Sequence, residues 1–373
     1  MAEGSFTPEN LGRSPTDRSV SNKETAIEGR KFVEVNGTRV SYIERGNPHG
    51  IALMYIGGWA SSASGDRWFL DALEGKIPNS KGLQALSEYN REHPEERQSA
   101  EGIKRMVESL KNKYRIVDLE LPGFGKSSPL EGKINLDRMA DFTVEFQEAV
   151  GLEKPVIFGS SMGGIVAVKL AARHPEAVKA LFLQGLMSKP EDMDKKAYTA
   201  AQIATKRPVT SWVIRPTLRI PGVAPKVFAL LAKGSKDFKM SEKEAQDAMI
   251  EGARLAHPRT AISTLAEIGS DIGNDIEQVQ CPVVVIDGAS GDMVPILNSA
   301  DVAGRFHPNI KSTDPQKRSD YEEKIAQKKM AFLPIGGKSE EQSHTIVNTL
   351  PEGTAVMIDD VLGKLFPEQK LQA

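Results

Sequence analysis

One serine in this chain stands where its hydroxyl could act as a nucleophile. Residues 155 to 174 read PVIFGSSMGGIVAVKLAARH, a short apolar run that passes into Gly159-Ser160-Ser161-Met162-Gly163 and then directly into an amphipathic helical pattern. Glycines on either side of Ser161 remove the side chains that would hold strand and helix apart, so the chain can bend sharply with the serine at the apex. A serine placed there lies at a helix N-terminus, where N–H groups without intrahelical partners and the helix dipole favour negative charge. An oxyanion forming during acyl transfer would be stabilised by the Met162 N–H. A serine hydroxyl is a poor nucleophile at neutral pH, so an imidazole must take its proton and a carboxylate must hold that imidazole. The bare G-x-S-x-G pattern is weak; its specificity comes from the buried strand before it and the helix after it. The bland reading is a strand-to-helix turn without chemistry.

The elements that would position this serine can be read from periodicity. The segment FVEVNGTRVSYIERG places two alternating runs around Asn36-Gly37, a dipeptide suited to a tight hairpin turn. Four runs then lack alternation and predict strands buried on both faces: Ile51 to Ile56, Tyr114 to Leu119, Pro155 to Phe158 and Val178 to Leu186. Helical patterns lie between them, at Leu136 to Val150 and Ile165 to Ala172. Strand texture returns at Pro282 to Asp287 and Met330 to Ile335. Buried strands alternating with helices argue for a parallel sheet covered on both faces. Residues 188 to 273 lose the strand signals, and Pro208, Pro216, Pro221 and Pro225 divide them into short helical pieces, as expected of a helical insertion. The charged stretches 66–112 and 300–329 read as surface elaborations, and residues 1–28 as a disordered tail. The expected organisation is a core of 29–187 and 274–373, interrupted by a cap at 188–273.

Composition narrows the function classes. The 373 residues suffice for one large domain with an excursion, and a net charge of -2 gives no case for nucleic-acid binding. Cys281 is the single cysteine, which excludes an internal disulfide framework and a multi-cysteine metal site. There is no His-Glu-x-x-His helix and no clustered ligand set, so neither metal nor cofactor is expected. The first residues carry no apolar run of the secretory kind, and no stretch approaches about 18 uninterrupted apolar residues. A cytoplasmic protein without a membrane span is expected; oligomeric state is open.

With these segments in hand, the sequence resembles the α/β-hydrolase family, over roughly residues 30 to 187 and 274 to 366. The resemblance implies a mostly parallel eight-stranded α/β sheet with helices on both faces and a helical cap. Ile51-Ala-Leu-Met-Tyr-Ile-Gly-Gly-Trp59 is similar to the family's third strand and oxyanion loop, with Gly57 where a His usually stands, and implies the Trp59 N–H as second oxyanion donor. Asp118-Leu-Glu-Leu-Pro-Gly-Phe-Gly-Lys-Ser127 is similar to the loop after the family's fourth strand, with Glu120 in place of the usual Asp. Gly125-Lys126-Ser127 is not a phosphate-binding loop, because that motif needs a glycine where Glu120 stands. Pro282 to Pro295 resembles the seventh strand and the turn bearing the triad acid. It implies Asp292 as the acid, with Asp287 as competitor. The family's chain order of Ser, acid, His implies His344 as base, with His307 as runner-up. His174 and His257 read as structural. Gly58, Ser160 and Trp212 are expected to line the substrate site.

Within the expected cap, residues 203 to 240 carry eight Lys or Arg against one acid, interleaved with Trp212 and other apolar residues. A basic rim over an apolar inner face would favour an anionic substrate; solvated lysines on an ordinary helix are the competing reading. The leading expectation is a carboxylic-ester hydrolase acting on a small-molecule acyl substrate. Alternatives are hydrolysis of a carbon–carbon bond, and a slow-turnover ligand-binding protein of the same fold.

Overall fold

A computed structural model describes residues 27, 29–63, 65, 67–77, 100–192, 199, 226, 243–268, 270–288, 302–303, 305–306, 331–335 and 351–367. The elements in chain order are β1 (Arg30–Val35), β2 (Thr38–Gly46), β3 (Ile51–Ile56), α1 (Arg67–Leu73), α2 (Ala100–Glu108), β4 (Tyr114–Leu119), α3 (Leu136–Ala149), β5 (Val156–Ser160) and α4 (Met162–Arg173). They continue as β6 (Ala180–Gln184), α5 (Lys243–Leu255), α6 (Pro258–Leu265), α7 (Gly273–Gln278), β7 (Val283–Gly288), β8 (Ala331–Ile335) and α8 (Pro351–Leu365).

The eight strands form one sheet in the order β1-β2-β4-β3-β5-β6-β7-β8. Strands β1, β2 and β4 pair antiparallel, and every pair from β4·β3 to β7·β8 is parallel. The β1–β2 turn follows directly from its dipeptide: Asn36 and Gly37 take φ of 46° and 77°, and Val35 pairs with Thr38 across a two-residue turn.

The non-alternating strands are two-sided. In β3, Leu53 and Tyr55 join one apolar cluster while Met54 and Ile56 join the other; in β7, Val284 and Ile286 are set against Val283 and Val285. Successive side chains point to opposite faces, so a strand covered on both sides must be apolar at every position. Helices α3, α4 and α7 cover one face, and α1 and α8 the other. On the second face Tyr55, Phe69 and Phe158 form a triad with ring centroids 5.1 to 5.7 Å apart. Full burial contributes roughly 2–3 kcal/mol for each such ring.

The stretches read as surface elaborations are in part core. In α1, Phe69, Leu70, Ala72 and Leu73 are buried; so are Val302 and Ala303 in the second stretch. In α1 the apolar face is turned inward while Arg67 is exposed, and the charge in the sequence masked that inner face. The expected tail falls almost wholly outside the described residues, as does most of 188–273, where α5 and α6 are the described helices. No helix among the described residues is long and apolar enough to cross a membrane.

Candidate active site

Strand β5 ends at Ser160 and α4 begins at Met162, so a single residue makes the turn between them. That residue, Ser161, has φ 51° and ψ −116°, a conformation that costs a non-glycine residue about 1–3 kcal/mol. Close packing holds it. A Cβ on Gly163 would lie 2.1 Å from the Ile56 carbonyl oxygen and 2.5 Å from that of Gly57. One on Gly159 would lie 2.7 Å from Gly164 Cα. Glycines are therefore required where β5 and α4 come together, and the bend is fixed by backbone on both sides. The Ser161 N–H donates to the Gln184 carbonyl at 2.8 Å, and its own carbonyl accepts from Gly164 at 2.9 Å. The side chain makes no capping hydrogen bond and the residue is partly exposed, which leaves the hydroxyl available.

The loop after β3 lies against this turn. A Cβ on Gly58 would be 3.4 Å from Ser161 Cβ and 3.6 Å from the Ser160 carbonyl. The structure thus brings Gly58, Ser160, Ser161 and Met162 together, with Trp59 next along the loop. The Trp59 indole N–H donates to the Ala261 carbonyl in α6 at 3.0 Å. Gly252 of α5 is pressed on the same loop, since a Cβ there would lie 2.1 Å from the Ala60 oxygen. The loop is therefore clamped from above by α5 and α6.

Beneath it lies a contact that residue types alone did not announce. The carboxylate of Glu120 accepts the Ala63 N–H at 3.0 Å and the Lys126 N–H at 2.9 Å, and pairs with Arg30 at 2.7 Å. Glu120 stood out in the sequence as a departure from the family's Asp; its partner Arg30, 90 residues away at the start of β1, carried no signal. A hollow lined by Gly57, Gly58, Ser61, Ser62, Ala63, Asp118 and Glu120 lies behind this loop.

Of the described histidines, His49 precedes β3 on the exposed surface, at the opposite end of that strand from the loop. His174 ends α4, about 20 Å along the helix from Ser161, and its Nε2 lies 2.9 Å from Asp141. The His257 N–H donates to the Gly123 carbonyl at 2.7 Å as α6 begins. Asp287 lies within β7, opposite Pro334 of β8. Asp292, His344, His307 and Trp212 lie outside the described residues.

The chain resembles known proteins both in sequence and in fold. A sequence model of the alpha/beta hydrolase fold matches residues 98–204, which run from α2 past β6 and include Ser161. A bromoperoxidase from Bacillus anthracis superposes with a TM-score of 0.60 at 16% identity, covering 89% of this chain and 99% of that one. The chain has the α/β-hydrolase fold. In sequence, too, the similar proteins include hydrolases of that superfamily. The pimeloyl-(acyl-carrier protein) methyl ester esterase of Aliivibrio salmonicida is 27% identical over 202 residues, 53% of this chain and 72% of the relative. A 2-hydroxymuconate semialdehyde hydrolase of Pseudomonas putida is 38% identical over 72 residues, 19% of this chain and 26% of that enzyme. Strands β3, β5, β7 and β8 run parallel, so their C-terminal ends all lie at the edge of the sheet that carries Ser161.

Proposed function

We propose that this protein is a serine hydrolase that cleaves a carboxylic ester of a small molecule through an acyl-enzyme intermediate. The observation that carries the reading is the positive-φ serine at the one-residue turn between β5 and α4. A strained, partly exposed hydroxyl at a helix N-terminus, with a second loop packed on it, is suited to nucleophilic attack. Ser161 Oγ attacks the ester carbonyl carbon while His344 takes its proton. The oxyanion is held by the Met162 and Trp59 N–H groups. Collapse expels the alcohol, which receives the proton from His344, and a water activated by the same imidazole hydrolyses the acyl-enzyme.

Strand order supports the two residues assigned to this catalytic role from outside the described chain. At about 4.8 Å per strand, the ends of β7 and β8 lie roughly 10 and 14 Å across the sheet from β5. Long side chains and short loops span such distances, so an acid after β7 and a base after β8 can both reach Ser161. Asp292 is preferred to Asp287 because Asp287 is still inside β7, whereas Asp292 comes four residues after that strand ends at Gly288. Residues 188–273 form the cap in this reading, with Gly58, Ser160 and Trp212 against the substrate and the basic 203–240 stretch at the rim. Cytoplasmic residence is part of the proposal and rests on the single cysteine.

A fluorophosphonate probe followed by a panel of p-nitrophenyl esters tests it. The wild type should be labelled and turn over, and Ser161→Ala should lose labelling and at least about 10⁴-fold in kcat. Labelling that survives in Ser161→Ala would move the nucleophile elsewhere. Asp292→Asn and His344→Ala should cost far more than Asp287→Asn and His307→Ala. The second reading, carbon–carbon bond hydrolysis, is favoured by the 38% identity to the 2-hydroxymuconate semialdehyde hydrolase over 72 residues. A vinylogous diketone turned over faster than every ester would establish it instead.

A further inference from the structure

We infer that Glu120 and Arg30 are positioning residues that set the height of the oxyanion loop over Ser161 and cancel the charge that this support would otherwise place beneath it. The inference rests on the serine-hydrolase reading above. The Glu120 side chain is 2% exposed and that of Arg30 9%. A buried carboxylate is retained only if its charge is matched and its oxygens are occupied. Both conditions hold here. Arg30 Nη1 donates to Oε2 at 2.7 Å and Nη2 approaches Oε1 at 3.4 Å. The Ala63 N–H reaches Oε1 at 3.0 Å and the Lys126 N–H reaches Oε2 at 2.9 Å.

Those partners come from three separate stretches of chain: the start of β1, the loop after β3 and the loop after β4. A fourth is tied in through Ser41 of β2, whose Oγ also accepts from Arg30. Ser41 N–H donates to Ser127 Oγ at 2.9 Å, and Ser127 Oγ donates to the Glu120 carbonyl at 2.6 Å. The chain is folded tightly over the carboxylate at Gly125, where φ is 53° and a Cβ would lie 2.3 Å from Glu120 Cδ. A glycine there is the condition for a glutamate beneath it.

The loop that Glu120 grips at Ala63 is the one that places Gly58 3.4 Å from the serine side chain, taking an ideal Cβ as the measure. It turns through Ala60 at φ 61°, a conformation that an alanine holds only under constraint. Glu120 supplies that constraint from below, and the Trp59–Ala261 bond and Gly252 supply it from above. A misplacement of about 1 Å in such a loop can cost on the order of 10²-fold in rate. Charge matters as well. Glu120 lines the same hollow as Gly57 and Gly58, so an unpaired carboxylate would repel the oxyanion forming above it; the Arg30 guanidinium removes that repulsion.

The test uses the full chain with Glu120→Gln and Arg30→Gln. Glu44→Gln serves as control, because it breaks the ion pairs of Glu44 in β2 with Lys31 in β1 and Arg115 in β4, at the ends of those strands away from the serine. On p-nitrophenyl acetate, Glu120→Gln and Arg30→Gln should each lower kcat about tenfold or more with KM within about threefold. Inhibition by benzeneboronic acid, which forms a tetrahedral adduct on the serine, should weaken by the same factor. Glu44→Gln should alter melting temperature alone. Amide hydrogen exchange over residues 57–63 and 121–127 reads the support directly, whatever the activity, and should quicken in both variants and not in the control. Folded variants with wild-type kcat, boronate affinity and exchange would overturn the inference. If the wild type is neither labelled by a fluorophosphonate nor active on any ester, the hydrolase reading fails, while unchanged exchange in the variants would dispose of the support separately.

Discussion

At the scale of single residues, the site is built by what is left out. Gly163 has no Cβ because two carbonyl oxygens occupy its place, and backbone atoms cannot rotate aside as a side-chain tip can. Gly163→Ala should therefore cost about 2 kcal/mol or more and lower activity with it. Gly353, in the first turn of α8, meets nothing within 4 Å of an added Cβ, so Gly353→Ala should stabilise by about 0.5–1 kcal/mol. Urea melts of the two variants should bracket the wild type. Cys281 offers a second check at this scale. It packs beside the core just before β7, and burial pushes its thiol up to about 12. Thiolate is the reactive form, so at pH 8 alkylation by iodoacetamide should run more than about 100-fold slower than for free cysteine. As the sole thiol, it makes the measurement unambiguous. Fast labelling would mean that the β7 entrance opens readily.

At the scale of elements, the parts legible in the sequence are those specified by neighbours in the chain. The hairpin follows from Asn36-Gly37, the two-sided strands from their unbroken apolar runs, and the serine turn from glycines within two residues of Ser161. Contacts between elements were not legible, because nothing local marks Arg30 for Glu120 or Trp59 for Ala261, 90 and 202 residues apart. Helix α3 shows both kinds. Asn135 caps it from the adjacent residue by accepting the Arg138 N–H at 2.8 Å, whereas the Leu136 N–H is taken at 2.9 Å by Glu267, from beyond α6. Burial raises the Glu267 carboxyl above its ordinary range, although the Leu136 N–H acts in the opposite direction. The folded chain thus holds this proton more tightly than the unfolded chain, and stability falls as pH rises from about 4.3 through the raised value. Glu267→Gln keeps the acceptor without the charge and should match or exceed the wild-type melting temperature at pH 7, the gain vanishing near pH 4. Asp141 has the reverse sign. Hydrogen bonds from Arg173 lower its carboxyl despite partial burial, so Asp141→Asn should lose stability at pH 7 and lose less as the pH drops below about 4.

At the scale of the molecule, the α/β-hydrolase sheet must keep its strand ends in place although the chain leaves it for a long excursion after β6. One buried carboxylate ties the departure and return together. Asp192, 2% exposed, accepts from the Ser188 N–H, the Ser188 hydroxyl and the Lys189 N–H at 2.8 to 3.0 Å. Arg305, which follows β7 in the chain, grips both of its oxygens at 2.9 Å. The returning chain joins at the same place, where the Ile272 N–H donates to the Ser188 carbonyl at 2.8 Å. The two halves of the ion pair should not be equivalent. Removing Arg305 leaves a buried charge that still has three donors, so Arg305→Ala should cost about 1–3 kcal/mol. Asp192→Ala strands those donors and takes the carboxylate from the guanidinium, and should cost more, about 3–5 kcal/mol. The double variant should cost less than the sum of the two single changes, since both remove the same ion pair. Equal and additive losses in urea melts would mean that each side chain acts separately, and that the exit from β6 is held by packing rather than by this pair.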